Sequence, residues 1–426
     1  MELTKEQLEA VEKIEDWFEG AERYFCLQGA AGTGKTTVIK TIIERISKYF
    51  KVVATSTTNA SVRVLKDSIG NEDVLCITTH QYLRLKVVTT RDGTSIKTDE
   101  EKEPLTMYDL VIVDECSMVG EDLWDKINNY PTTAKWLFVG DPCQLSPVGC
   151  SISPTFSKVE FSFALKTIHR QAPDSPICSL VRSIRSSILA NKFIISKPES
   201  KANSYGSIIT TTDKKEWMSG VVKWFLEESY STNDSRVITY TNRAERTLNF
   251  LVRKFIMGEV SEQCEFLPGE TLFLKEPILD GHKVVLSSNS KLTVVSSNLL
   301  MYSTNKFHFK LPSKDFVYNS VKCKTEDEDT IRIKVLSLKS VESYQDYVKM
   351  LKKNKHIELG VLNDLNREFI DVSYQYATTV RRAQGWNLRF VAFSLPELTK
   401  CKGISEKLYN YYSATSRASN RVLILN

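Results

Sequence analysis

An α/β fold built on parallel sheets follows from three observations on the sequence. Short apolar runs at 24–27, 51–56, 108–113 and 136–139 read as buried strands, and segments with helical apolar spacing alternate with them. Gly29-Ala30-Ala31-Gly32-Thr33-Gly34-Lys35-Thr36 fits the pattern G-x-x-x-x-G-K-[ST] at every fixed position, between the strand at 24–27 and a helix over 36–50. A second α/β unit then opens at 236–240, with a helix over 244–256, and the same pattern resumes after Tyr374.

Taken in order, Thr4 is a helix N-cap ahead of Leu8, Val11, Ile14 and Trp17, which repeat at helical spacing. Gln7 stands on the first turn, where an amide can both donate to and accept from an adenine edge. In the loop that follows, the glycines let backbone N–H groups wrap a polyphosphate. Lys35 supplies a cation to the β and γ phosphates, and the Thr36 hydroxyl can hold Mg²⁺. Thr57-Thr58-Asn59 ends the next strand and Thr79-His80 repeats the theme one unit later. Small polar side chains at a strand's carboxyl end suit phosphate contact, and either cluster also reads as a helix cap.

The runs 83–88 and 94–98 flank Thr89-Thr90-Arg91-Asp92-Gly93, whose Asp-Gly step is a turn signal. This predicts a protruding β-hairpin at 86–98, although a surface loop fits the same residues. The apolar run at 108–113 leads into Asp114-Glu115-Cys116-Ser117-Met118, about 80 residues beyond the phosphate loop. An Asp at the end of a buried parallel strand can bind Mg²⁺, and the adjacent Glu can orient or deprotonate an attacking water. The next strand ends in Gly140-Asp141-Pro142-Cys143-Gln144, which brings Gln144 to the same sheet edge as a candidate γ-phosphate sensor.

Beyond 267 the pattern changes. Short β-type stretches at 270–275, 282–287, 291–296 and 331–338, the acidic loop Glu326-Asp327-Glu328-Asp329 and a helical tail near 341–356 predict a small β-rich insert. The α/β pattern returns through Thr379-Val380-Arg381-Arg382-Ala383-Gln384-Gly385, a strand at 389–394, a helix over 407–414 and a last strand at 421–425.

With 426 residues and 42% hydrophobic content, the chain can bury more than one core. It has no run near the ~20 apolar residues of a membrane span, and the first 20 residues are too charged for a signal peptide. The expectation is a cytoplasmic protein, in the host's cytoplasm for a chain of phage origin, with no membrane contact. Nine scattered cysteines, without a C-x-x-C pair, fit a reducing compartment and neither a metal centre nor a catalytic thiol. Net charge is +5, yet residues 373–426 alone carry eight Lys/Arg against two Glu, which fits a nucleic-acid face or a solvated basic surface.

In this order the motifs resemble those of superfamily 1 helicases, most closely the 5′→3′ branch (superfamily 1B) of Dda-like and RecD-like enzymes. The matching blocks are 3–7, 29–36, 55–65, 77–85, 114–118, 140–148, 165–171, 237–246, 379–385 and 412–418, almost the whole chain. The resemblance implies two RecA-like P-loop domains. The first is 1–170, with the 86–98 hairpin as its insert. The second is 171–260 plus 373–426, with 261–372 as an SH3-like insert. It implies an ATP-dependent DNA helicase, a monomer using ATP and Mg²⁺ to move along single-stranded and fork DNA in replication, repair or recombination, with single-strand-binding or replication proteins as partners. Lys35, Asp114, Glu115, Gln144, Arg170 and Arg417 would be catalytic, with Thr36 and Asp114 on the metal. Gln7, Gly29, Ala30, Ala31, Gly32, Thr33, Gly34, Thr36, Thr37, Gln384 and Gly385 would join Lys35, Gln144 and Arg417 around the nucleotide. Thr57, Thr58, Asn59, Thr79, His80, Thr241, Asn242, Thr379 and Arg381 would meet DNA. The chain departs from the family where Arg381-Arg382 replaces a His-Lys pair, where Ser416 replaces Thr, and in a hairpin tip without an aromatic. An RNA-directed relative and a P-loop phosphotransferase are the alternatives, and the latter has no use for the second α/β unit.

Overall fold

The apolar strands of the first 165 residues come together as one parallel sheet, as their burial on both faces requires. The computed structural model describes residues 3–90, 93–99, 102–147, 152–169, 172, 174–192, 195, 197–227, 234–280, 283–304, 312–354, 357 and 359–426. The strand order is Leu75–Thr78, Val52–Ser56, Leu110–Asp114, Lys135–Gly140, Tyr24–Gly29 and Ser162–Leu165. Every neighbouring pair is parallel. Leu27, Ile112 and Leu137 pack one face against Val38, Ile39 and Ile42 of helix Lys35–Ile46 and Val11 and Ile14 of helix Lys5–Glu19. Cys26, Val111, Val113, Trp136 and Phe138 fill the other face with Tyr82 and Trp124. Each such side chain contributes about 1.5–3 kcal/mol on burial, so a one-residue slip of any strand is strongly opposed.

Helix Lys5–Glu19 is fixed at both ends. Thr4 and Gln7 form a reciprocal capping box. At the other end Lys135 Nζ donates to Trp17 O at 2.9 Å and Gly20 O at 2.6 Å, a cation on the negative end of the helix dipole.

The second sheet runs Ala377–Thr379, Ser235–Thr239, Leu388–Ser394, Ala418–Leu425, Gly206–Thr211 and Lys201–Asn203. Its inner pairs 235–239/388–394, 388–394/418–425 and 206–211/418–425 are parallel, and the 201–203 edge is antiparallel. The sequence pattern assigns no elements between 171 and 235, whereas the structure holds helix Pro176–Leu189, the strands Lys201–Asn203 and Gly206–Thr211, and helix Lys214–Leu226. Helix 176–189 starts from a Ser175 cap with Pro at its first turn, and Ile177, Val181, Ile184 and Ile188 point into the core.

The chain divides into two compact units. Met1–Leu85, Thr98–Glu245 and Thr378–Asn426 form one, which holds both six-stranded sheets; Lys86–Lys97 and Arg246–Ala377 form the other. The second unit has an antiparallel sheet in the order Thr330–Leu336, Asp315–Lys324, Lys291–Ser303, Thr271–Leu274 and Val372–Tyr374. Strand 291–303 is longer than the expected 291–296, strand 315–324 has no counterpart in the sequence pattern, and helix Leu359–Glu368 follows the expected one at Val341–Lys353. Leu85–Thr90 and Gly93–Thr98 pair as a two-stranded hairpin, with 91–92 outside the described residues. Among the described residues, no helix is long and apolar enough to cross a membrane.

One buried ion pair organises the second unit. Arg253 donates to Glu270 through Nε at 2.6 Å and Nη2 at 2.9 Å, and to the carbonyls of Ser261 and Cys264. Both side chains are almost wholly buried. Glu270→Ala strands the guanidinium in a dry site. The expected destabilisation is about 3–5 kcal/mol, read as a lower denaturant midpoint for this unit. An unchanged midpoint would show that water replaces the carboxylate.

Candidate nucleotide site

In a parallel sheet all carboxyl ends share one edge, and Gly29, Ser56, Asp114 and Gly140 end four strands there. The register sets Ser56 beside Asp114 and Gln28 beside Gly140. The phosphate loop turns through Gly32 at φ 83° and Gly34 at φ 85°, left-handed backbone that a side chain would strain, and Gly34 then caps helix Lys35–Ile46. Thr33 holds the loop closed through Ala30 O at 3.0 Å, and His169 N–H donates to Gly32 O at 2.7 Å. Lys35 Nζ lies on the loop itself, 2.9 Å from Gly29 O and 3.0 Å from Ala30 O.

Glu115 follows Asp114 with φ 53° and ψ 41°, an unusual conformation for a residue with a side chain. Strain of this kind costs of order 1–3 kcal/mol and gathers where function demands a particular side-chain direction. Desolvation, then the neighbouring Glu115 carboxylate, push the Asp114 carboxyl up to about 7, against the pull of Lys35. A cation in this corner would relieve the repulsion. The Thr36 hydroxyl and the Asp114 carboxylate are the hard oxygen donors that Mg²⁺ takes.

Arg417 comes to the same pocket from the second sheet. It is 2% exposed, with Nε on Ser413 O at 3.3 Å and Nη1 on Trp386 O at 3.4 Å. Its Nη2 is buried with no partner among the described residues, and so is Gln144 Oε1. A charged donor left unsatisfied is costly, so Arg417 Nη2 suits an anion. Gly385, at φ 80°, passes close by: a Cβ built on it would sit 3.5 Å from Ser61 Oγ and 3.8 Å from Glu115 Oε1. The pocket so enclosed measures about 620 Å³ and is lined by Gln7, Lys35, Thr36, Asp114, Glu115, Gln144, Gly385 and Arg417 among others. That volume is in the usual range for a cofactor-sized ligand.

Ala31, Gly32, Gly34 and Thr37 also line it, whereas Gly29, Ala30 and Thr33 of the same loop are outside the lining, Ala30 and Thr33 buried. Gln384 is outside the lining, with its Nε2 buried and unpartnered among the described residues. Gln7 is in the wall, but its amide is engaged within the protein: Oε1 accepts from Thr4 N–H, and Nε2 donates to Thr33 O at 3.2 Å. It ties the first helix to the phosphate loop, and reading an adenine edge would require it to release these bonds. Arg170 lies outside the described residues.

The DNA-contact candidates fare unevenly. Thr79 is wholly buried with its hydroxyl 3.2 Å from that of Thr55, and Thr379 is buried within its strand, so neither side chain offers a surface to phosphate. Thr79 opens the short helix Thr79–Tyr82 and Thr379 closes the strand Ala377–Thr379, and both side chains are taken up in packing. Thr58 caps the helix Asn59–Ile69, as the alternative reading allowed, yet remains exposed. The Thr57 hydroxyl is buried without a partner among the described residues, and His80 is half-buried, with its pKa lowered by that burial. Thr241 caps its helix and binds Glu397; Asn242 is exposed. Arg381 donates to Ser146 O at 3.2 Å, and Arg382 pairs with the buried Glu245. Thr4, Ser61, Val64, Ser68, His169 and Asn387 line the pocket without having been singled out for it. Thr4, Ser61, Val64 and His169 fall inside the 3–7, 55–65 and 165–171 motifs and Asn387 lies two residues beyond the 379–385 motif, which is the signal the sequence offers.

The family described as "AAA domain" matches residues 2–194. An uncharacterized protein of Acanthamoeba polyphaga mimivirus is 22% identical over 490 aligned positions covering 98% of each chain. The ATP-dependent DNA helicase dda of Enterobacteria phage T4 is 20% identical over 91% of each chain. A solved structure of two coordinating Pif1 helicases at forked double-stranded DNA has a TM-score of 0.53 at 15% identity, and covers all of this chain and 92% of its own. The Pif1 likeness establishes a shared two-domain RecA-like fold, and together with the sequence likeness over nearly the whole chain it bears out the resemblance of this protein to superfamily 1B helicases.

Proposed function

We propose that this chain is an ATP-dependent DNA helicase that moves 5′→3′ on single-stranded DNA and separates duplex strands as it goes. The observation that carries the reading is the convergence of Lys35, Thr36, Asp114, Glu115 and Gln144 from one parallel sheet with Arg417 from another on a single pocket. An enzyme that only moved phosphate between small molecules could do so on the first sheet alone. In this reading each sheet is the core of one RecA-like domain, 1–170 and 171–260 with 373–426. The phosphate loop and Lys35 hold the triphosphate, Glu115 takes the proton of the attacking water, Gln144 senses the γ phosphate, and Arg417 neutralises the developing charge. Thr36 and Asp114 would hold Mg²⁺, which supplies positive charge to the β and γ oxygens. Thr57, Thr58, Asn59, His80, Thr241, Asn242 and Arg381, exposed or half-buried, are the candidates to meet the strand, and contact with phosphates and base faces makes such binding tolerant of sequence.

Strand displacement decides it. Duplexes with a 5′ single-stranded tail should be unwound in the presence of ATP and those with a 3′ tail should not. Single-stranded DNA should stimulate ATP turnover more than RNA of the same sequence. Equal unwinding from a 3′ tail would overturn the polarity, a preference for RNA would favour the RNA-directed alternative, and turnover indifferent to nucleic acid would end the helicase reading.

A further inference from the structure

Asp141 begins the turn that carries Gln144, whose N–H donates to Asp141 O at 3.0 Å. Its carboxylate is completely buried and is met from two helices of the second α/β segment. Arg185 of helix Pro176–Leu189 pairs with Oδ1. The Tyr412 hydroxyl, from helix Ile404–Thr415, donates to Oδ2 at 2.7 Å. Arg185 also donates to the Tyr412 hydroxyl at 3.1 Å, closing a three-membered network, and Cys143 N–H adds a bond of 3.0 Å to Oδ1. Burial alone would raise the Asp141 carboxyl, but Arg185, then Lys35, hold it below its ordinary value. The triad therefore keeps a charged carboxylate, whose field reaches the phosphate loop, clamped between the two sheets.

Both ends of this clamp lead to the candidate catalytic groups. Gln144 is three residues from Asp141 on one side. On the other, the Tyr412 carbonyl accepts from Ser416 N–H at 2.9 Å, and Arg417 is the next residue. Neither Arg185 nor Tyr412 lines the nucleotide pocket. Resting on the helicase reading above, we propose that Arg185, Asp141 and Tyr412 are positioning residues: the triad sets the turn of Gln144 against the helix end of Arg417, so that γ-phosphate sensor and arginine act together during turnover. A purely structural ion pair would show in stability; a positioning triad shows in the rate of the chemical step, since misplacement of catalytic groups by about 1 Å can cost of order 100-fold.

Tyr412→Phe removes one hydroxyl and keeps the ring, so it is the cleanest probe; Arg185→Lys, which keeps charge without the fork, is the second. Wild type and variants are compared for DNA-stimulated ATP turnover, KM for ATP, binding of a fluorescent ADP and thermal midpoint. The expected result is a kcat lowered about tenfold or more in both variants, with KM and ADP affinity within about threefold and the Tyr412→Phe midpoint within a few degrees of wild type. If kcat stays within about twofold in Tyr412→Phe, or if kcat falls only in proportion to folded protein, the positioning role is overturned. Wild-type protein that shows no DNA-stimulated turnover would count against the helicase reading instead, and so separates the two.

Discussion

Lys35→Ala lowers ATP turnover by at least ~10²–10³ and leaves nucleotide-free binding of single-stranded DNA in place. Lys35 is the one side-chain cation of the 29–36 loop, and Nζ rests on the carbonyls of Gly29 and Ala30 at the mouth of the pocket. In a site that excludes water, a fixed positive charge aimed at a phosphoryl group is worth about 3–4 kcal/mol in the transition state, and that sets the size of the loss. Stability moves little. Lys35 opens helix Lys35–Ile46, where a cation opposes the helix dipole and alanine is a good helix former. A steady-state ATPase assay beside a melting curve separates the two effects. Turnover near wild type would remove the phosphate-loop assignment; turnover lost together with the fold would show Lys35 to be a structural brace.

The contrast between what the sequence disclosed and what it hid has a physical pattern. The phosphate loop, Asp114-Glu115 and Gln144 were legible because backbone wrapping of phosphate and metal-bound chemistry demand particular residues at fixed spacing, immediately after strands that are apolar on both faces. Helix Pro176–Leu189 was not, although it carries Arg185, because its signals are an ordinary Ser-Pro cap and an amphipathic pattern that any surface helix shares. Asp141 stands in the 140–148 motif, yet its partners are contributed from residues 185 and 412, a pairing no local pattern encodes. The small polar clusters at 57–59 and 79–80 were ambiguous for the opposite reason. Thr58 and Thr79 have the same chemistry, and only packing decides that one caps a helix at the surface while the other bonds to Thr55 inside it. In the β-rich unit, the polar run Ser296-Ser297-Asn298 interrupts the apolar alternation of strand 291–303 and shortened it in the sequence reading, and the buried pair Asn319-Ser320 interrupts that of strand 315–324 and concealed it.

Arg417→Lys lowers DNA-stimulated turnover at least ~100-fold, about 2.7 kcal/mol of transition-state stabilisation, and changes ATP affinity much less. Arg417 reaches the pocket with two of its three nitrogens bound to carbonyls, Nε to Ser413 and Nη1 to Trp386, so the guanidinium plane is oriented before any nucleotide arrives. The remaining Nη2 has no partner among the described residues, and it stands in the same pocket as Lys35 and Glu115. Lysine retains the charge but cannot hold both carbonyls and still present a donor, because an ammonium is a point charge on a flexible stem. Arginines placed in this way contribute ~10³–10⁵ in other phosphoryl-transfer enzymes, and contacts made chiefly in the transition state act on kcat before KM. A merely structural Arg417 would give a different signature, with a lower thermal midpoint from two weakened hydrogen bonds, each about 1 kcal/mol or somewhat more, and a kcat per folded molecule that hardly moves. Measuring kcat, KM and midpoint on one preparation distinguishes the outcomes. Near wild-type kcat in a folded Arg417→Lys protein would mean that the second sheet does not contribute to hydrolysis, and the two-sheet active site would have to be given up.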